Sequence, residues 1–431
     1  MAAPSSHRYG LRTTSLLVAA SMVGTGVFTT SGVLLAELRS VPAVLMVWLV
    51  GGLVALAGAL SYAELAAQMS ESGGEYALLA RTYHPAIGFI AGVVSIVAGF
   101  AAPIAACAIA FARYLDAALA IDLPDLPVAI AVLVATSAVH LSRLRTGARF
   151  QDALTLAKLA LIALFVIGGA VLGDPARLAE PLEPMALLSP PFALSLVLVY
   201  FAYTGWNAAA YVAGEVEEPA RTLPVALLLG TGGVTALYLL LNAMLLASAP
   251  ASELAGTVEI AAVAARHLFG PTAGRVLAAI VALGLVSTIG ALVVTGTRVY
   301  DAIGRDHPAL APLARRHANG APVIAILVQA CLALVLVATA SFEQLLAAVG
   351  FTLSLASALT VLGVIVTRVR HPARPRPFRV PLYPLTPLLF VAVTAWTIVE
   401  SIRFAQQAAL FGVATIAAGG ALYLGLRPRA R

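Results

Sequence analysis

Charge is scarce in this chain, and lysine is almost missing. Only 11% of the 431 residues are charged, against about a quarter in a soluble domain. Lys158 is the one lysine among 26 basic residues. No stretch is hydrophilic enough to form a separate domain, and there is no low-complexity tail. These shortages exclude an ordinary soluble enzyme or binding module. Cysteine is rare as well. Cys107 and Cys331 both lie in apolar runs, which rules out a disulfide framework, and no metal-ligand spacing is present. No metal and no cofactor are expected. What the chain has instead is apolar residues, at 61%, with a mean hydropathy of +0.96. It reads as an all-α polytopic membrane protein. The net charge of +6 does not imply nucleic acid, because excess arginine in such proteins collects in cytoplasmic loops.

A spanning helix needs about 20 apolar residues. Twelve segments qualify: 13–37, 41–66, 84–114, 124–141, 152–172, 191–213, 222–249, 275–299, 321–340, 343–367, 385–403 and 406–426. The stretch 250–272 can hold a short external helix. Arg8 and Arg12 lead into the first apolar run, and no small-residue cleavage site follows. That run therefore reads as a transmembrane helix and not as a removed signal. With the N-terminus inside, nineteen arginines fall on the cytoplasmic side and six (Arg39, Arg113, Arg177, Arg266, Arg275, Arg403) outside. The bias places both termini in the cytoplasm and the protein in the cell's inner membrane.

Two of these segments carry a weakness at mid-depth. Segment 13–37 contains Ser21-Met22-Val23-Gly24-Thr25-Gly26-Val27-Phe28. Each glycine costs a helix about 1 kcal/mol relative to alanine. Segment 191–213 contains Tyr200-Phe201-Ala202-Tyr203-Thr204-Gly205-Trp206-Asn207. Unwound backbone at membrane depth survives only where it lines a cavity or a ligand. Glycines also serve close helix packing, but two matched breaks favour a site. The breaks lie in helices 1 and 6, five spans apart. A repeat of five spans puts its second copy upside down, and broken helices at matching places in two such halves point to a transporter site. The halves are 13–172 and 190–367, with helices 11 and 12 (385–426) appended.

These residues resemble a known family. Gly24-Thr25-Gly26-Val27-Phe28 is similar to the helix 1 signature of amino acid–polyamine–organocation (APC) transporters. Phe201 through Asn207, followed by Glu215, Glu218-Pro219, Arg221 and Pro224, resembles helix 6 and its loop, nearest the L-type amino acid transporter branch and its bacterial relatives. Ser72-Gly73-Gly74-Glu75-Tyr76, Thr297-Arg298 with Gly304-Arg305-Asp306, and Arg376-Pro377-Phe378-Arg379-Val380-Pro381-Leu382 agree in order. The resemblance covers nearly the whole chain. It implies the five-plus-five inverted repeat of leucine-transporter type, with discontinuous helices 1 and 6, and alternating access.

The chemistry of such breaks suits a zwitterion. The outer half of helix 1 starts near Thr25–Val27 with free N–H groups and a positive dipole end, fit for a carboxylate. The inner half ends near Met22–Val23 with carbonyls fit for an ammonium, and helix 6 offers more near Phe201–Thr204. The resemblance implies that Thr25 and Gly26 contact the substrate carboxylate. It also implies that Met22, Phe201 and Thr204 surround the amino group, with Phe201 closing from outside. The expected substrate-binding set is Met22, Val23, Gly24, Thr25, Gly26, Phe201, Ala202, Tyr203, Thr204, Gly205 and Asn207. Trp206, Ser287 and Thr288 are further candidate liners of the pocket, although such residues often only bond neighbouring helices. No Asp or Glu falls mid-way in helices 1, 3, 6, 8 or 10, so a neutral amino acid is favoured over a cationic one or a polyamine.

Lys158 lies about six residues into helix 5, roughly 9 Å deep at 1.5 Å per residue. It can snorkel, yet a buried ammonium usually has a task, and lysine can lose its proton where arginine cannot. The resemblance implies that it stands where sodium-coupled relatives bind a sodium ion, bonded to a carbonyl of the helix 1 break and to Ser287 or Thr288. Transport would then be sodium-independent, either proton-coupled or an exchange. Glu64, Glu71, Glu75, Glu215, Glu217 and Glu218 read as solvated loop charges or partners of loop arginines. Asn242 reads as an interhelical hydrogen bond, and Cys107 and Cys331 as buried fillers. An integral membrane enzyme would need an acid/base or metal cluster, and a channel would need pore rings; neither is visible. Beyond amino acid, lipid and possible protons, no partner is expected. Neither cysteine lies in a short external loop between helices 3 and 4, so no disulfide-linked subunit is expected.

Overall fold

The computed structural model describes residues 9–69, 73–142, 147–316 and 321–426, and the side chains at all of these positions but 142 and 147–159. The fold is helical throughout. The helices in order are α1 (Leu11–Met22), α2 (Gly26–Leu38), α3 (Val41–Gln68), α4 (Gly74–Thr82), α5 (Pro85–Val94), α6 (Ala102–Leu119), α7 (Asp125–Ser142), α8 (Gly147–Leu172) and α9 (Pro190–Tyr203). They continue as α10 (Ala208–Tyr211), α11 (Pro219–Ser248), α12 (Ala251–Leu254), α13 (Ile260–Phe269), α14 (Pro271–Asp306), α15 (Val323–Thr339), α16 (Phe342–Arg370), α17 (Leu385–Phe404) and α18 (Gln406–Leu426). Among the described residues the one β feature is an isolated bridge between Tyr9 and Val216.

Seven of the described helices are long and apolar enough to cross a bilayer, and eight if α1 and α2 count as one bent span. Outward-facing side chains such as Leu164, Ile167 and Val171 are exposed although apolar. A water-facing surface avoids a shell of that kind and a lipid-facing one needs it. This is a multi-pass membrane protein.

One expected span differs from a plain rod, and the stretch expected to hold one short external helix holds two. Segment 84–114 runs on to Leu119, and between α5 and α6 the backbone widens into a π turn over Ser95–Ala101. Pro103 sits just beyond. It has no N–H to give the carbonyl four residues back, and such turns gather at functional sites. Segment 250–272 forms two short helices, α12 and α13.

Helices in lipid gain little from apolar contact and pack instead where small residues let backbones approach. The core follows that rule. α11 packs along α3 and α1, and α14 along α6 and α13. A methyl on Gly32 would sit 2.0 Å from the Thr257 carbonyl, so α2 lies directly against the loop after α12. Cys107 is buried as expected. Cys331 is not: it is exposed on α15.

Candidate functional site

Both breaks are present, and each has its own geometry. α1 ends at Met22, α2 begins at Gly26, and the axis bends by 40° between them. Inside the break the Gly24 N–H turns back to the Met22 carbonyl at 2.7 Å. The first α2 amide with a backbone acceptor is Phe28, bonded to Thr25 O at 2.9 Å. The N–H groups of Thr25, Gly26 and Val27 have no backbone acceptor among the described residues, as the start of a helix requires. They form the positive end expected to hold a carboxylate.

Helix 6 breaks after Tyr203. Residues 204–207 form turns, and Gly205 has φ +99°. The two breaks touch backbone to backbone at two levels. A methyl on Gly26 would lie 2.5 Å from the Ala202 Cα, and one on Gly205 would lie 2.5 Å from the Ser21 carbonyl. Gly205 is therefore required twice, by its backbone angle and by its neighbour. Gly24 is different: a methyl there would meet nothing closer than 3.8 Å.

The carbonyls depart from expectation. Met22 O already accepts from Gly24 N–H and from the Tyr238 hydroxyl at 2.6 Å. Phe201 O accepts from the Thr204 N–H at 3.0 Å and the Thr204 hydroxyl at 2.7 Å. A carbonyl oxygen has two lone pairs, so both are fully used. Tyr238 also donates to Ala202 O at 3.3 Å, linking the end of α1 to the end of α9. Its position on α11 was not suggested by any motif.

A cavity of about 230 Å³ opens below the breaks. Of the expected set it is lined by Thr204, Gly205 and Asn207, together with Trp206 and Thr288. Met22, Val23, Thr25, Gly26, Phe201, Ala202 and Tyr203 are buried above it, Gly24 is half-buried, and Ser287 is buried beside it. Ser21 and Ala20, from the last turn of α1, are on the wall, as are Gly99 from the π turn and Pro103 from the start of α6. The side chain of Lys158 lies outside the described residues, so its expected bonds to the break and to Ser287 or Thr288 are not placed.

The cavity also holds a group that sequence reasoning put elsewhere. Glu75 is not a solvated loop charge. It is 1% exposed, lines the cavity, and accepts hydrogen bonds from Tyr62 at 2.5 Å, Ser357 at 2.9 Å and Asn207 at 3.3 Å. Burial pushes its carboxyl above the ordinary range. Glu64 did find arginine partners, but in the interior. It is fully buried, accepts from Arg368 Nε at 2.9 Å and Nη2 at 2.6 Å, and accepts the Val380 N–H at 2.7 Å. It thus ties the Arg/Pro-rich stretch before α17 to α3. Glu215 faces Arg298 at 3.8 Å across the mouth of the cavity. Asn242 bonds across helices as expected, to Ser31 of α2.

The family model described as amino acid permease matches residues 9–420. The serine/threonine exchanger SteT of Bacillus subtilis is 28% identical over 430 residues, covering 97% of each chain. The human b(0,+)-type amino acid transporter 1 is 26% identical over 90% of this chain and 80% of its own. The human large neutral amino acids transporter small subunit 2 is 28% identical over 96% of this chain and 79% of its own.

Proposed function

Because the chain belongs to the amino acid permease family, on the branch of the L-type carriers, we propose that it carries amino acids across the membrane by alternating access through the cavity at its two breaks. It is an amino acid transporter of the APC group and not an enzyme. The observation that carries the site reading is the meeting of the breaks, Gly26 against Ala202 and Gly205 against Ser21, with amides at Thr25–Val27 that lack a backbone acceptor among the described residues and a cavity walled by Thr204, Gly205 and Asn207. The amides suit the substrate carboxylate. With Met22 O and Phe201 O occupied, the ammonium is left to the remaining carbonyls at the end of α1 and around the helix 6 break.

Twelve spans result when the bent α1–α2 pair, α7, α8, α9 with its broken continuation, and α15 are added to the seven long helices. Residues 13–172 and 190–367 are then two inverted five-helix halves, followed by 385–426. Both termini are cytoplasmic and the membrane is the inner one. Neutral amino acids are the substrates, moved without sodium by proton coupling or exchange, and no disulfide-linked subunit takes part. Lys158 replaces sodium as the brace between α8 and the helix 1 break, with Ser287 or Thr288 as its hydroxyl partner.

Uptake of labelled neutral amino acids into proteoliposomes is expected in sodium-free buffer, driven by internal amino acid or a proton gradient. A sodium requirement would sink the brace reading. Lys158→Ala is expected to lower uptake at least tenfold, about 1.4 kcal/mol of lost stabilisation or more; undiminished uptake with an unchanged pH response refutes its role. The second reading is a carrier of cationic amino acids or polyamines. One observation favours it: Glu75 puts a carboxyl on the cavity wall. Arginine or a polyamine outcompeting every neutral amino acid would establish it.

A further inference from the structure

Glu75 is the second residue of α4 and is buried against four other helices. Tyr62 comes from α3, Tyr200 from α9, Tyr211 from α10 and Ser357 from α16. Asn207 comes from the helix 6 break itself. The start of α4 is pressed onto the same region: Gly73 N–H reaches the Tyr211 carbonyl at 3.3 Å, and a methyl on Gly74 would lie 2.3 Å from the Tyr211 ring.

All three hydrogen bonds go to one oxygen, Oε1. The other, Oε2, is buried and has no partner. Among the described residues no cation pairs with this carboxyl. The titratable groups facing it are phenols. Arg298 of α14 lines the same cavity but stands by Glu215, and Tyr9 lies beyond it. On α4 itself, Tyr76 donates to Asp306 at 2.5 Å. His84, between α4 and α5, is turned to the Ala86 N–H. A buried carboxylate without a counter-ion is costly and takes up a proton instead. Three donors and the first turn of α4 favour the anion; burial opposes them and prevails. Its proton is thereby held to higher pH than that of an exposed carboxyl. A substrate ammonium is the poorer occupant, because the free oxygen has no exposed surface to offer it.

We propose that Glu75 is the proton-binding group of the transport cycle, and that its charge sets how firmly the inner part of broken helix 6 is held through Asn207. The assignment rests on the transport reading above. A hydrogen bond to a carboxylate is roughly twice as strong as one to a neutral acid. The ionised form therefore grips Asn207, and protonation loosens it. Asn207 is two residues from Gly205, which touches Ser21 of α1, so the grip reaches both inner halves. Loosening at acid pH speeds their movement, and uptake rises as pH falls.

The test has two arms. Infrared difference spectra of the purified protein are expected to show the carbonyl band of a protonated carboxyl that disappears as pH is raised. The band is absent in Glu75→Gln. In Tyr62→Phe, which removes a donor to the anion, its midpoint moves up by about one pH unit. In proteoliposomes preloaded with amino acid and at equal pH on both sides, wild-type exchange uptake is expected to rise several-fold from mildly alkaline to mildly acid pH, while Glu75→Gln stays at the acid level throughout. An unchanged pH profile in Glu75→Gln overturns the proposal. So does a spectrum with no titrating carboxyl in the wild type. Loss in Glu75→Gln of uptake of a cationic amino acid alone also overturns it, in favour of a substrate contact. A band that titrates as described, in protein that takes up no amino acid, supports the proton site and counts against the transport reading.

Discussion

The two halves of the first helix come from one apolar run and sit in opposite surroundings. In the outer half, α2, every residue from Gly26 to Leu35 is buried. Its backbone and side chains are bonded on several sides. Tyr114 donates to Phe28 O at 2.6 Å, Gly256 N–H to Gly32 O at 2.7 Å, and Trp48 to the Ser31 hydroxyl at 2.9 Å, with Asn242 on the same hydroxyl. In the inner half, α1, only Thr14, Val18 and Met22 are buried, one stripe at four-residue spacing. Leu11 is 42% and Leu16 52% exposed. That stripe rests on α11, and among the described residues the ties to the rest are few: Tyr9 bridges the segment Glu215–Glu217, and Ser21 touches Gly205. The outer half cannot shift without breaking hydrogen bonds in apolar surroundings, whereas the inner half can swing about the break with few losses. On the proposed cycle gate and wall thus belong to one span, and the cavity is lined from the α1 side, by Leu17, Ala20 and Ser21.

Substitutions at the contacts that define each half should separate the two behaviours. Gly205→Ala is expected to do most damage, because it forces a side chain onto a φ of +99° and against the Ser21 carbonyl. Backbone strain and overpacking together come to roughly 2–4 kcal/mol, and uptake should fall more than tenfold. Gly26→Ala comes next. It pushes α2 from α9 at Ala202 at about 1–3 kcal/mol, which a thermal unfolding scan will read as a lower midpoint. Ser31→Ala is milder. It strands the Trp48 N–H and the Asn242 carbonyl in the interior and costs about 1–2 kcal/mol. Because the outer half is a fixed wall, its loss should appear in thermal stability more than in uptake rate. Equal damage to both would mean that the outer half moves too.

Much of this was legible in the sequence, for physical reasons that also mark where legibility stops. Gly24, Gly26 and Gly205 announce broken helices because helix propensity is a local property. Apolar run lengths announce the spans because bilayer thickness fixes them. Satisfaction of polar groups is not local. Tyr238 reaches Met22 O from 216 residues away, and Ser357 reaches Glu75 from 282 residues away. Read alone, Glu75 follows a Ser-Gly-Gly turn and looks like a loop acid. The signal available was its place between two long apolar runs with Tyr62 one span earlier, and that is weak without the fold. Cys331 erred in the opposite sense, since an apolar run does not say which of its faces meets lipid.

The smallest expected effect is the most discriminating. Gly24 sits in the break beside Gly26, and by sequence the two are equivalent. Their surroundings are not: a methyl on Gly24 meets Met22 O at 3.8 Å and Thr288 at 3.9 Å, ordinary contact distances, and its φ is not in the left-handed region. Gly24→Ala should therefore fold as well as the parent. It should gain up to ~1 kcal/mol where the alanine favours helix. The gain bears on the cycle, because it resists the bend that separates α1 from α2. Uptake should drop about two- to threefold while the unfolding midpoint stays level or rises. A stability loss as large as that of Gly26→Ala would show that the inner half is packed as tightly as the outer one, and the contrast between wall and gate would fail.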